Sequence, residues 1–258
     1  MPRRRLAVAL LIPAPLATEI DGLRRALGAP TDHVAPHITL VPPVNVRVED
    51  VPAALAVLRD AAASVTAPLA LSLGPAATFH PVNPVVYLSV GGADAAQLVP
   101  LRDRLLVPPL ARRIDLPFVA HATLADGHPP ERIEAALDAL SAFDAPVSID
   151  SVQLLDDDAP GPHRWNPVAE ARLGPQMVVG RGGWELEVST TTLADPEVAP
   201  LLGELPSPPD GARPTVVVGR HDGTVVAAIA GWVRDGGMHV ERQAGDLEVA
   251  AMLERHAG

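Results

Sequence analysis

The chain has 258 residues and a formal net charge of −11, all 20 of its basic residues are arginine, and it contains no cysteine. Without lysine there is no lysyl-nucleotide ligase, Walker A loop or Schiff base; without cysteine there is no thiol nucleophile, zinc–thiolate site, iron–sulfur cluster or disulfide. The arginines gather only in short groups (Arg3–Arg5, Arg24–Arg25, Arg112–Arg113), which argues against a long duplex gripped by its phosphates and for a small substrate or a nucleic-acid end.

The basic start and the apolar run after it read as a first strand, Leu6–Ile12, rather than a leader, which places the protein in the cytoplasm. No apolar run reaches the ~20 residues of a membrane span, so no membrane partner is expected. Leu16–Leu27 has helical spacing and ends at Gly28. His37–Leu40 is a short strand stopped by Pro42-Pro43, Val51–Val65 a helix and Leu69–Leu73 a strand. Val85–Val90 is a second buried strand, followed by helix Ala95–Leu106, strand Val119–Leu124, helix Glu131–Leu140 and strand Val147–Leu155. Trp165–Leu173 closes this region as one more strand. Further on, Trp184–Val188 reads as a strand, Asp195–Leu205 as a short helix and Leu247–His256 as a terminal helix. Thr215–Gly219 and Val225–Val233 read as a hairpin around Asp222-Gly223.

The order strand, helix, short strand, helix, strand occurs twice, over Leu6–Leu73 and Val85–Leu155. Each copy carries His-x-Thr-Leu at the same point: His37-Ile38-Thr39-Leu40, and His121-Ala122-Thr123-Leu124 84 positions later. Chance supplies about 0.05 such tetrapeptides in a chain of this composition, so two at equivalent points of a repeat are a signal. A period this long means two similar lobes rather than a solenoid. Residues two apart on a strand share a face, so each segment points an imidazole and a hydroxyl the same way. Two facing lobes then bring two imidazoles and two hydroxyls to one cleft. One neutral imidazole can take a proton and one protonated imidazole can give one, while the hydroxyls donate to phosphate oxygens. That chemistry requires no metal and no cofactor.

Pro36-His37-Ile38-Thr39-Leu40 with Val41-Pro42-Pro43 resembles the first signature of the 2H phosphoesterase superfamily, which includes 2′-5′ RNA ligase-like proteins and cyclic phosphodiesterases. His121-Ala122-Thr123-Leu124 is similar to the second signature, and the resemblance covers about residues 5–175. It implies a bilobal α+β fold, with two antiparallel sheets flanking a central cleft. It implies His37 and His121 as base and acid, and Thr39 and Thr123 as phosphate binders. Implied substrates are cyclic or 2′-linked phosphodiesters of a nucleotide or RNA end. The acidic charge ranks a cyclic phosphodiesterase above a 2′-5′ RNA ligase. A binding module that holds a nucleotide or RNA end without turnover is the further alternative.

Other polar residues carry weaker signals. His33 lies on a loop, where its spacing to His37 does not suit a metal. Phe79, His80 and Tyr87 fit either a base pocket or the core, and Arg164 and Trp165 either a nucleotide contact or a surface turn. Asp156-Asp157-Asp158 reads as a solvated turn. The domain division expected is 1–175 for the two lobes and 176–258 for a small α+β segment. That segment resembles the opening half of a GNAT acetyltransferase, with Arg242-Gln243-Ala244-Gly245-Asp246-Leu247 where a pyrophosphate turn would stand. Leu247 replaces a small residue there and Asp246 would oppose a diphosphate, so the segment reads as a packing module without an acetyl-CoA site.

Overall fold

The computed structural model describes residues 2–65, 68–157, 164–174, 177–181, 184–206, 209, 212–234 and 237–256. Three antiparallel sheets organise them. The first has the order β2-β1-β7-β8, from β1 (Arg3–Leu11), β2 (His37–Arg47), β7 (Ser151–Asp157) and β8 (Trp165–Arg172). The second has the order β5-β4-β3-β6, from β3 (Leu69–Thr78), β4 (Val86–Gly91), β5 (His121–Ala125) and β6 (Ala145–Ile149). This is the duplicated, two-sheet α+β fold expected.

The apolar run at the start is β1, the second strand of its sheet. Side chains alternate along it: Leu6, Val8 and Leu10 enter the main core, while Ala7 and Ala9 meet Leu155 on the other face. Strand β2 runs to Arg47 instead of stopping at Leu40. It is an edge strand, and its register with β1 breaks between Leu6↔Val44 and Val8↔Val41, so Pro42 and Pro43 sit in a bulge and need donate nothing to a ladder.

The two repeats exchange their last strands. Strand β3, which ends the first repeat, joins the second sheet, pairing Thr78 with Val86 of β4. Strand β7, which ends the second repeat, joins the first sheet, pairing Leu155 with Ala7 of β1. The single strand expected over Val147–Leu155 is therefore two. It breaks at Asp150, with β6 in the second sheet and β7 in the first.

Helices α1 (Leu16–Ala26), α2 (Val51–Ala63), α3 (Leu98–Leu105) and α4 (Pro130–Ala139) cover these sheets. They bury apolar stripes at helical spacing, such as Val51, Leu55 and Leu58 of α2 and Leu98, Leu101 and Leu105 of α3. One continuous core runs through both sheets and ends at Leu173. Gly74 stands in the register break of β3 against β4, between Leu73 and Ala76, at φ +118°, and a Cβ there would run into the Phe143 carbonyl. Gly74→Ala is expected to cost about 2–4 kcal/mol, read as a lower midpoint in thermal unfolding.

The third sheet has the order β13-β12-β11-β10-β9, from β9 (Met177–Arg181), β10 (Trp184–Thr191), β11 (Arg213–His221), β12 (Thr224–Arg234) and β13 (Gly237–Gly245). Helix α6 (Leu247–His256) packs Val249, Ala250 and Leu253 on one face against Leu186 and Ile229. Val198 and Leu202, the latter in the one-turn helix α5 (Ala199–Leu202), pack on the other against Val216 and Ala228. The expected hairpin is present: His221 pairs with Thr224, and Asp222 and Gly223 both have positive φ, as the tight turn needs. Strands β9 and β13 are additions to the sequence reading, and α5 is shorter than the helix expected over Asp195–Leu205. The boundary expected at residues 175 and 176 falls outside the described residues. No helix among the described residues is long and apolar enough to cross a membrane.

Candidate active site

His37 opens β2 and His121 opens β5, the matching edge strands of the first and second sheets. The two edges lie against one another. In each signature the alternation is the same. Ile38 and Leu40, like Ala122 and Leu124, are buried in the core, and the His and Thr between them are half-exposed on the opposite face. Register puts His37 beside Leu11 and Thr39 beside Ala9, and puts His121 beside Ser89 and Thr123 beside Tyr87. Each lobe thus presents one imidazole and one hydroxyl together.

The two imidazoles are oriented alike. His37 Nδ1 is 2.8 Å from the Ala35 carbonyl oxygen, and His121 Nδ1 is 2.7 Å from that of Val119. A carbonyl only accepts, so each Nδ1 carries the hydrogen and each Nε2 keeps a lone pair or a second proton for chemistry. Neither Nε2 has a protein hydrogen-bond partner among the described residues. Burial holds the His37 imidazole below its ordinary value; the bond to Ala35 opposes this, and the charges of Arg24 and His121 add to it.

The surroundings of the two histidines differ. Around His121 the rings of Phe79 and Tyr87 lie 5.1 and 5.2 Å away and stack on each other at 4.3 Å. Burial raises the Tyr87 phenol above its ordinary range. On the His37 face of the first sheet, Ala7, Ala9 and Leu11 leave a shallow apolar floor bordered by Val34 and Trp165. The Trp165 N–H donates to the His33 carbonyl at 2.8 Å, tying β8 to the loop that leads into His37. Phe79 and Tyr87 thus pack against His121, and Trp165 against the Ala7 and Ala9 face of the first sheet, whereas His80 is exposed. Arg164 pairs with Asp32 at 3.4 Å between exposed side chains, and His33 is 3.8 Å from the same Asp32.

The acidic run is not a solvated turn. Asp156 is 1% exposed and accepts from Arg4 Nε at 2.7 Å, and Asp157 pairs with Arg5 at 3.4 Å; Asp158 lies outside the described residues. Adjacent strands β1 and β7 set these charges opposite one another, and that also uses up two arginines of the first basic cluster. Nor does the Arg242–Leu247 stretch form a phosphate turn. It ends β13, and Asp246 accepts the Glu248 and Val249 amides at 2.9 and 3.2 Å, so a carboxylate already occupies the start of α6.

Arg24 contacts the second signature, which the sequence reading did not foresee. It is 4% exposed, and its Nε–H donates to the Thr123 carbonyl at 3.1 Å while Nη1 donates to that of Val34 at 3.0 Å. A signal for it exists. Leu16, Ile20, Arg24 and Leu27 fall at helical spacing, so an arginine stands in the stripe α1 turns to the core.

Two antiparallel sheets, built from a duplicated unit whose edge strands each open on His-x-Thr, define the 2H phosphoesterase class. The chain belongs to the 2′-5′ RNA ligase superfamily, whose family profile matches residues 12–161. Similar solved structures include E. coli LigT in complex with 3′-AMP, at 20% identity and TM-score 0.47, covering 67% of this chain and 99% of that one. TT0787 of Thermus thermophilus is similar at 20% identity and TM-score 0.48, covering 66% of this chain and 97% of that one. No curated protein matches the chain.

Proposed function

We propose that this protein hydrolyses a cyclic or 2′-linked phosphodiester of a nucleotide or RNA end by two-histidine acid–base catalysis, without a metal or cofactor. The matched orientation of the two imidazoles carries this reading: both Nδ1 atoms are engaged by backbone carbonyls two residues upstream, which leaves two Nε2 atoms for the reaction. Water lies in line with the leaving oxygen. As its oxygen bonds phosphorus, one neutral Nε2 takes its proton. The phosphorus–oxygen bond to the ribose breaks, and the other Nε2–H protonates the departing oxygen. One water is consumed, a phosphomonoester and a free hydroxyl result, and solvent returns the proton between the imidazoles. The Thr39 and Thr123 hydroxyls hold the non-bridging oxygens, whose charge grows in the transition state.

Residues 1–175 form the catalytic domain in this reading, and 176–258 a packing domain. In support, the main core ends at Leu173, and the two clusters of the third sheet use only residues from Leu186 onward. The cytoplasm is the compartment that fits a nucleotide or RNA-end substrate.

Phosphorus NMR tests the function. The protein is incubated with EDTA and 2′,3′-cyclic nucleotides, cyclic ADP-ribose phosphate or a 2′-5′ dinucleotide, beside the His37→Ala/His121→Ala double variant. Turnover by the wild type alone is expected. Wild-type silence on every substrate overturns it and leaves binding without turnover, and joining of RNA ends without hydrolysis replaces it with ligation. Thr39→Val and Thr123→Val, which keep shape and remove the donor, are each expected to lower kcat/KM by about 10²-fold in steady-state assays.

A further inference from the structure

Arg24 reaches from α1 to the second signature and to the loop before the first. Its Nε–H holds the carbonyl of Thr123, inside the second signature, at 3.1 Å. Its Nη1 holds the carbonyl of Val34 at 3.0 Å, next to Ala35, whose own carbonyl orients His37. One nearly buried guanidinium therefore ties β5 to the loop that leads into His37.

Resting on the two-histidine reading above, we propose that Arg24 is a positioning residue. It fixes the loop that carries His37 relative to β5, and it assigns His37 the base and His121 the acid in hydrolysis. The charge balance supports the assignment. Arginine stays protonated in proteins. Its carboxylate partner, Asp21, is 3.4 Å away and partly exposed, so it offsets the guanidinium incompletely. Burial is the main cause that holds His37 below its ordinary value; the bond to Ala35 opposes it, and the charges of Arg24 from α1 and His121 from β5, both positive when charged, add to it. His37 is thus held in the neutral form that a base needs. His121, the remaining imidazole, takes the acid's part. In the step, His37 Nε2 takes the proton of the attacking water as oxygen bonds phosphorus. His121 Nε2–H gives its proton to the ribose oxygen as its bond to phosphorus breaks.

The test compares Arg24→Gln and Arg24→Lys with the wild type. In Arg24→Gln the low-pH limb of the kcat/KM profile is expected to move to higher pH and kcat to fall by about tenfold. Arg24→Lys, which restores the charge, is expected to return the limb towards its wild-type position. A purely structural role would lower the active fraction and leave the shape of the profile unchanged, which overturns the proposal.

An aryl phosphodiester separates acid from base, because a phenolate leaves without protonation. His121→Ala is expected to lose at least tenfold less rate on it than on an alkyl ester, and His37→Ala to lose the same on both. The reverse pattern overturns the assignment, and this arm stands even where Arg24→Gln does not fold. Titration of the His37 ring by NMR in wild type and Arg24→Lys or Arg24→Gln needs no turnover. If the wild type is inactive on every substrate, the function fails, while an unshifted His37 titration in Arg24→Gln defeats the positioning role on its own.

Discussion

His37→Ala and His121→Ala are each expected to lower kcat by about 10²–10⁴-fold while the protein stays folded. The size follows from general acid–base catalysis, in which each imidazole moves one proton in the transition state. The two act in one concerted event, so the double variant is expected to fall little below the worse single variant. Stability is little affected because each half-buried imidazole on an edge strand holds a single hydrogen bond to its own loop, worth about 1 kcal/mol. Steady-state kinetics beside thermal unfolding separates the two effects; a fully folded single variant at the wild-type rate would sink the mechanism. The same histidine has a signature in stability. Its folded value lies below its unfolded value, so the fold binds fewer protons than the unfolded chain. The contribution is complete above the ordinary histidine range, near pH 6.5, and is lost as pH falls through it towards the folded value. His37→Ala is expected to flatten this part of the stability curve in denaturant titrations at stepped pH.

The site was legible in the sequence because a strand's period of two is simple and because the unit is duplicated. His37 and Thr39 could be assigned one face without knowing the fold, and a second copy at His121 and Thr123 implied a partner face. What the repeat does not encode is strand partnership. β3 and β7 are both short apolar strands, and nothing in Leu69–Leu73 or Val152–Leu155 says which sheet each joins. The chain crosses from the second sheet to the first at Asp150, between β6 and β7. The edge strand β13 was unreadable for a different reason. Half of its residues Met238–Gly245 are polar or charged, and it pairs on one side only, with β12. Arg24 hid in the same way as the strand exchange: its meaning depends on β5, distant in sequence, whose Thr123 carbonyl it holds.

Arg220→Met is expected to destabilise the protein by about 3–5 kcal/mol, the cost of breaking a buried charge cluster by removing one partner. Arg220 of β11 is 2% exposed, as is Asp195, and burial pushes the Asp195 carboxyl above its ordinary range. The guanidinium donates to Glu197 at 3.0 Å and to Ser189 at 3.1 Å, and it stands 3.9 Å from Asp195. Glu197 accepts at the same oxygen from Arg59 of α2, also at 3.0 Å. The cluster is therefore a joint: α2 belongs to the main core, and β11 to the third sheet. Removing Arg220 leaves the buried Asp195 without its cation, while Glu197 keeps Arg59; Arg59→Met leaves both carboxylates beside Arg220 and is expected to cost less. At about 2–4 °C per kcal/mol in a chain of this size, the Arg220 variant's midpoint falls by roughly 10 °C in differential scanning calorimetry. The shape of the transition carries the mechanism. If the joint makes the third sheet and the two lobes one cooperative unit, the wild type melts in a single transition, and Arg220→Met splits it or broadens it. A midpoint unchanged in the variant would mean that the Asp195 carboxylate finds water or a proton where the burial says it does not. Turnover at low temperature is expected to survive, because the cluster contacts neither signature strand and acts only by keeping the third sheet docked.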